Sequence, residues 1–309
     1  MFKFIHTADI HLDSPLRGLE AHEGTPVDEI RGATRRAFVR MVDLAVQEPV
    51  DFVLISGDVF DGDWKDYNTG LFFSREMGRL DQAGIKVFMI AGNHDAASSI
   101  TKTLGLPPNV VRFSAKACES IELPGLKVIV HGRSYQTAGV SDNLASEYPG
   151  FTSGYFNIGL LHTSLTGRDG HASYAPCSRG DLASKGYDYW ALGHVHARET
   201  VSEDPHIIFP GNIQGRHIRE SGPKSVTLVR VDDGRITDVQ TPEVDVLRWE
   251  VCSLDLATCD TEQRLIGRVR TAMNRAADDA DGRPLALRLV LEGQTPLHAE
   301  LRARPHHWL

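Results

Sequence analysis

Five short apolar runs in this 309-residue chain each stop at residues able to bind a hard or borderline metal ion. The run "FKFIHTADIH" ends in Asp9 and His11. The run "DFVLISGDVFD" carries Asp58 and Asp61. "IKVFMIAGNHD" carries Asn93, His94 and Asp95. "IGLLH" stops at His162, and "YWALGHVH" at His194 and His196. Each fragment alone has a plainer explanation. Asp-x-His suits a solvated turn, Gly-Asn-His-Asp suits a tight hairpin turn, and a lone histidine can be a hydrogen-bonded strand end. The pair His194 and His196, taken alone, is better read as a turn. The ordered set is harder to explain that way, because chance must supply all five at strand ends.

The ligand types define the chemistry. Asp9, His11, Asp58, Asn93, His162, His194 and His196 offer carboxylates, imidazoles and an amide, with no thiolate. That mixture suits Mn²⁺, Fe²⁺ or Zn²⁺ rather than a closed structural zinc site. The ligands are numerous enough for two ions, with Asp58 able to bridge. Two such ions about 3.5–4 Å apart clamp the attacking and leaving oxygens of a phosphoester and generate hydroxide near neutral pH.

Such a site requires the strand ends to converge, as they do at the carboxyl edge of an open α/β sheet. The first part of the chain has the order for it. "FKFIHTAD", "DFVLISGD" and "IKVFMIAGNHD" read as strands. Between them, "TPVDEIRGATRRAFVRMVDLAVQEP" reads as a helix capped by Thr25, with Pro26 and Asp28 in its first turn. A second helix is expected from about Asp66 to Gln82. This β-α-β-α-β order implies a parallel core. After Leu106, Pro107-Pro108 breaks the chain, and the runs from "NVVRF" to "SVTLVRV" read as a second, more antiparallel half. The segment from Arg133 to Gly154 reads as a lid or a substrate-facing loop. A boundary is expected within residues 237–246. Beyond it, "LRWEVCSLDL", a helix capped by Thr261, and "PLALRLVLEG" make a small β-α-β piece, followed by a tail that holds His306 and His307.

Composition narrows the setting. Four cysteines, with no CxxC pair and none among the histidine motifs, read as reduced and cytoplasmic. No apolar run is long enough to span a bilayer, and the N-terminus turns polar too soon for a signal peptide. The net charge of −8 argues against a surface that is one broad nucleic-acid patch, though not against a local basic groove.

The motifs Asp-x-His, Gly-Asp-x-x-Asp, Gly-Asn-His-Asp, a lone His and Gly-His-x-His, in this order, resemble those of the calcineurin-like metallophosphoesterases. Within that superfamily, "TADIHLDSPLRGL" and "PGNIQGRHIRE" resemble the SbcD/YhaO-type DNA-repair exonucleases. The resemblance covers residues 1 to about 235, and more loosely the β-α-β piece. It implies an α/β fold, a two-sheet β-sandwich flanked by helices, over residues 1–240. Residues 245–309 would form a small α+β capping, DNA-binding domain, in partial form. It further implies that Asp9, His11, Asp58 and His196 hold one ion and that Asp58, Asn93, His162 and His194 hold the other, with Mn²⁺ favoured over Fe²⁺ and Zn²⁺. His94 would contact the scissile phosphate and assist the leaving oxygen. Asp61 stands where archaeal and eukaryotic relatives often carry histidine, and is a candidate to orient His94. The implied partners are DNA, an SbcC-like coiled-coil ATPase and a second copy of the chain.

The expected activity is therefore a two-metal DNA exo- or endonuclease. The rival keeps the metals and changes the substrate to a phosphomonoester or a small nucleotide. A non-catalytic scaffold is disfavoured because all seven ligands and His94 are present. Arg216 and His217 are candidates to grip phosphate, with Arg219 weaker. His6 reads as a core residue, His131 as a weaker candidate to line the cleft, and Arg168 and His171 as solvated loop residues.

Overall fold

In the computed structural model, residues 1–17, 19, 32–61, 67–97, 105–166 and 174–304 are described. They divide into two units. One is drawn from Met1–Pro15, Asp28–Gln214 and Lys224–Asp245, the other from Leu16–Val27, Gly215–Pro223 and Val246–Leu309. The division moves two segments that the linear reading kept in the first domain. Among the described residues, no helix is long and apolar enough to cross a membrane.

In the first unit, strands β1 (Phe2–Thr7), β2 (Phe52–Ile55), β3 (Lys86–Met89) and β4 (Val110–Arg112) are parallel neighbours. The chain returns much later as β11 (Thr227–Asp232), antiparallel to β1, and β12 (Arg235–Gln240) closes that edge. The second sheet has the order β5 (Glu119–Leu123), β6 (Val128–Gly132), β7 (Phe156–His162), β8 (Tyr189–Gly193), β10 (His206–Phe209), β9 (Glu199–Glu203). Among the described residues, the antiparallel strand pairs after Leu106 are the outer pairs of this sheet and those made by β11 and β12, whereas β6, β7, β8 and β10 are mutually parallel. The run "NVVRF" supplies β4 and belongs to the first sheet.

Alternation along the strands builds the layers, because successive side chains face opposite sides. Ile5, Val53, Ile55, Val87 and Met89 point to one side. There they meet Phe38, Met41 and Val42 of helix α1 (Ala33–Gln47) and Phe73 and Met77 of α2 (Tyr67–Gln82). Phe4, Phe52, Leu54, Phe88 and Ile90 point to the other, into the space shared with Val130, Ile158, Leu160, Tyr189 and Ala191 of the second sheet. Phe4 stacks on Phe52 with centroids 5.1 Å apart and meets Tyr189 edge-on at 5.1 Å. The far face of the second sheet buries Trp190, Leu192 and Phe209 against Tyr135, Leu144, Tyr148 and Leu182. Leu182 lies in the short helix α4 (Arg179–Ala183), which follows α3 (Asn93–Ala97).

Gly-Asn-His-Asp opens the one-turn helix α3, not the hairpin turn that the fragment alone would suit. One local expectation changes. The 133–154 segment is no lid: Tyr135, Leu144, Ala145 and Tyr148 are buried in the core, because its aromatic residues cover the second sheet. Among the described residues the first helix begins at Ala33, and the expected Thr25 cap lies outside them, as do Arg168, His171, His306 and His307.

In the second unit, β13 (Arg248–Asp255) and β14 (Leu285–Glu292) pair in parallel. The helix α5 (Glu262–Asp279) joins them, and its Thr261 side chain accepts from Arg264 N at 3.4 Å. A last helix, α6 (His298–Ala303), occupies part of the expected tail.

Candidate metal centre

The carboxyl ends of β1, β2, β3, β7 and β8 meet at one point in the first unit. Beyond β1 and β2 the chain continues as two paired segments. Asp9 N donates to Gly57 O at 3.0 Å, His11 N to Asp58 O at 3.0 Å, and Leu12 N to Val59 O at 2.9 Å. Asp9 and Asp58 are thereby set side by side. The Asp9 carboxylate accepts from His194 N at 3.1 and 3.0 Å, which ties the end of β8 to the end of β1. Asp58 Oδ1 accepts from His94 N at 2.9 Å, which ties in the start of α3.

The backbone is forced at these positions. Asp9 has φ 51°, His11 45°, Asp58 55° and His194 103°. Left-handed conformations in non-glycine residues cost of order 1–3 kcal/mol each and collect at functional sites. The glycines beside the ligands explain the Gly-Asn and Gly-His spelling. A Cβ on Gly92 would overlap Asp58 Oδ1, and one on Gly193 would overlap the Ser56 carbonyl oxygen. Close approach of the strand ends needs bare backbone at both points.

The side chains converge. His11 Nε2 and His196 Nε2 lie 3.2 Å apart, and His196 Nε2 lies 3.9 Å from Asp9 Oδ1. His162 Nε2 lies 3.4 Å from Asp58 Oδ2 and 3.0 Å from Asn93 Oδ1. The His162 and His194 rings are 5.3 Å apart, edge to face. Three overlapping groups have ligand atoms within 4.8 Å of one another: Asp9, His11, His196; Asp9, Asp58, His162; and His11, Asp58, His94. Asp58 and Asp9 are each shared between two groups, so either can link neighbouring cation positions.

Burial is graded across the centre. Asp9, His11, Asp58 and His162 are at most 1% exposed. The side chains of His196, Asp61 and His94 are 26%, 26% and 39% exposed. The floor is dry and one rim is open, with His94 and Asp61 on it. His94 Nδ1 lies 3.1 Å from Asp61 Oδ1, and His11 Nδ1 lies 3.7 Å from the same oxygen.

Electrostatics separates the carboxyls. Burial holds Asp9 above the ordinary carboxylate range. Burial opposes the charge on Asp58 too, but the His162 imidazole at 3.4 Å outweighs it and holds that carboxyl below the range. The neighbouring imidazoles of His11 and His94 hold Asp61 low. Burial acts to lower His162, yet the Asp58 carboxylate brings it up to about 9. Imidazoles are thus the groups that offset two buried carboxylates. Nitrogen and oxygen donors around buried negative charge are the donor set of a divalent cation, and these residues fit one.

Arg216 and His217 belong to the second unit, where Glu220 accepts from Arg216 N at 2.7 Å and lies 3.6 Å from His217 Nε2. His131 is buried: it stacks on Tyr187 at 4.5 Å and bonds Ser120 Oγ at 2.7 Å. His6 is a core residue, bonded to the Tyr189 hydroxyl at 3.0 Å and Leu192 O at 3.1 Å.

Three supporting residues were given no separate role by the sequence reading. Ser56 O accepts from His162 Nδ1 at 2.9 Å, leaving Nε2 to face Asn93 and Asp58. Asp95 accepts from Phe60 N at 2.9 Å and Gly92 N at 3.1 Å, bracing two ligand loops, and burial with the nearby Asp58 charge pushes its carboxyl up to about 7. Tyr135 donates to His162 O at 2.7 Å. Only Asp95 had a signal, its place beside the histidine of Gly-Asn-His-Asp.

A family model described as calcineurin-like phosphoesterase matches residues 2–198, and one described as the middle domain of metallophosphoesterase YhaO matches residues 249–309. The chain is 38% identical over 298 residues to "Uncharacterized metallophosphoesterase YhaO" of Bacillus subtilis, covering 95% of this chain and 72% of that relative. It is 24% identical over 309 residues to the DNA double-strand break repair protein Mre11 of Sulfurisphaera tokodaii, covering 95% and 74%. Among solved structures, one from Thermus thermophilus gives a TM-score of 0.45 at 13% identity, covering 79% of this chain and 99% of that one. A dimetal phosphatase from Danio rerio gives 0.47 at 13% identity, covering 79% and 96%.

Proposed function

This chain belongs to the calcineurin-like phosphoesterase family, a family of metal-dependent phosphoester hydrolases, and we propose that it is a two-metal phosphodiesterase acting on DNA. The observation that carries the reading is the convergence of five strand ends on one centre, with buried carboxylates on its floor and His94 on its rim. The DNA assignment draws support from the similarity to a double-strand break repair protein.

Asp9, His11, Asp58 and His196 would hold one ion, and Asp58, Asn93, His162 and His194 the other, with Mn²⁺ as the expected metal. Bound there, divalent ions supply Lewis acidity and lower the pKa of bound water. The rest is the work of the chain. Its buried, hydrogen-bonded loops fix the ligands before substrate arrives. Asp61 accepts the hydrogen bond of His94 Nδ1–H, which would leave His94 Nε2 to face the phosphate and serve the leaving oxygen. With a net charge of −8, attraction of DNA rests on local features and on the bound cations.

The same reading makes an SbcC-like coiled-coil ATPase and a second copy the expected partners. The free cysteines suit a cytoplasmic setting. The test is purified chain with Mn²⁺ against labelled linear DNA, a chromogenic diester, a cyclic nucleotide and a nucleoside monophosphate. Cleavage of DNA and the diester, abolished by chelator, is expected. Turnover of the monophosphate or cyclic nucleotide with DNA left intact would reassign the substrate.

A further inference from the structure

Ser134 and Tyr135 form a clamp across two ligand-bearing loops. Tyr135 N donates to Ala91 O at 2.8 Å, and Ala91 N donates to Ser134 Oγ at 3.0 Å. Both polar groups of Ala91, two residues before Asn93, are thus held by one dipeptide. Ser134 Oγ in turn donates to Phe113 O at 2.6 Å, anchoring the clamp to the chain that follows β4.

The other jaw is the Tyr135 side chain, which is 3% exposed. Its hydroxyl donates to His162 O at 2.7 Å, and its ring meets the His162 ring edge-on, with centroids 5.4 Å apart at 88°. The residues it steadies, Asn93 and His162, present Oδ1 and Nε2 3.0 Å from each other. Asp9 and His11 are fixed by the Gly57, Asp58 and His194 backbone contacts instead, and His196 O accepts from Asn212 N at 3.2 Å, none of them through Tyr135.

We propose that Tyr135 is a positioning residue for one metal position alone, the one assigned to Asn93 and His162. The inference rests on the two-metal reading above. Losing the hydroxyl frees the His162 main chain and loosens that position, while the Asp9–His11–His196 position keeps its affinity. Removal of a partner behind a metal ligand commonly costs 10–100-fold in affinity.

Tyr135→Phe keeps the ring and removes the hydroxyl. Tyr148→Phe is the control, since the Tyr148 hydroxyl donates to Leu160 O of the same strand, two residues short of the ligand. Calorimetric titration of metal-free protein with Mn²⁺ reads both positions without reference to activity. The wild type and Tyr148→Phe should bind two ions. Tyr135→Phe should bind one ion as before and the second roughly 10–100-fold more weakly. Two wild-type affinities in Tyr135→Phe would overturn the inference, as would equal weakening of both or the same change in Tyr148→Phe. A wild type that binds fewer than two ions would instead defeat the two-metal reading itself.

Discussion

Asp61 Oδ1 stands 3.1 Å from His94 Nδ1, on the exposed rim of a centre whose other carboxylates are buried. This pair is the part of the site best placed to meet substrate. His94→Gln should keep its metals and lose about 10²–10⁴-fold in diester cleavage, the usual contribution of a positioned acid or base. Metal analysis beside the rate measurement checks this. Loss of an ion in that variant would make His94 a ligand, as its membership of a group with His11 and Asp58 allows. Asp61→Asn should lose less, because His94 remains and only its orientation suffers.

Gly193→Ala tests whether close packing of strand ends builds the centre. The added Cβ would overlap the Ser56 carbonyl, whose oxygen holds His162 Nδ1. Overpacking of this kind costs about 1–3 kcal/mol. The variant should melt earlier and retain less metal after dialysis. Wild-type stability together with wild-type metal content would show that the contact is not under constraint.

His6 makes stability depend on pH. With its proton on Nε2 it donates to Leu192 O and accepts from the Tyr189 hydroxyl through Nδ1, so a second proton has no place. Burial lowers it from 6.5 to about 3. The unfolded chain therefore takes up a proton between those limits, and folded stability falls as pH drops below 6.5. The slope from this group is about 1.4 kcal/mol per pH unit. Urea unfolding of metal-free protein between pH 6 and 4 should show that slope reduced by one proton in His6→Gln. An unchanged slope would refute the assignment.

The convergence of the centre's residues could be read from the sequence because each follows an apolar run, often through a glycine, and such runs announce strands and their ends. The unbroken apolar run Phe52 to Ile55 likewise announced a buried strand, and its alternate residues enter the two core layers. Partner choice was hidden. Nothing in "SVTLVRV" says that β11 pairs with β1, more than two hundred residues away, because a buried strand pattern carries no address. The hold of Tyr135 on His162 is invisible for the same reason: it is a side-chain to main-chain bond across 27 residues. Arg216 and His217 follow the motifs in sequence, yet their chain joins the second unit, where Trp249 donates to Gly215 O at 2.8 Å. Spacing along the chain could not disclose that change of unit.

The most direct test of the account is cleavage of end-labelled linear DNA by the purified chain, with and without Mn²⁺, beside Asp58→Ala. Asp58 is 1% exposed, lies 3.4 Å from His162 and belongs to two of the three candidate ligand groups, so its loss should remove the link between them. The account predicts metal-dependent cleavage by the wild type, none after chelation, and none by Asp58→Ala, which should also bind less metal. DNA left intact by a metal-loaded wild type, or cut equally by Asp58→Ala, would contradict it.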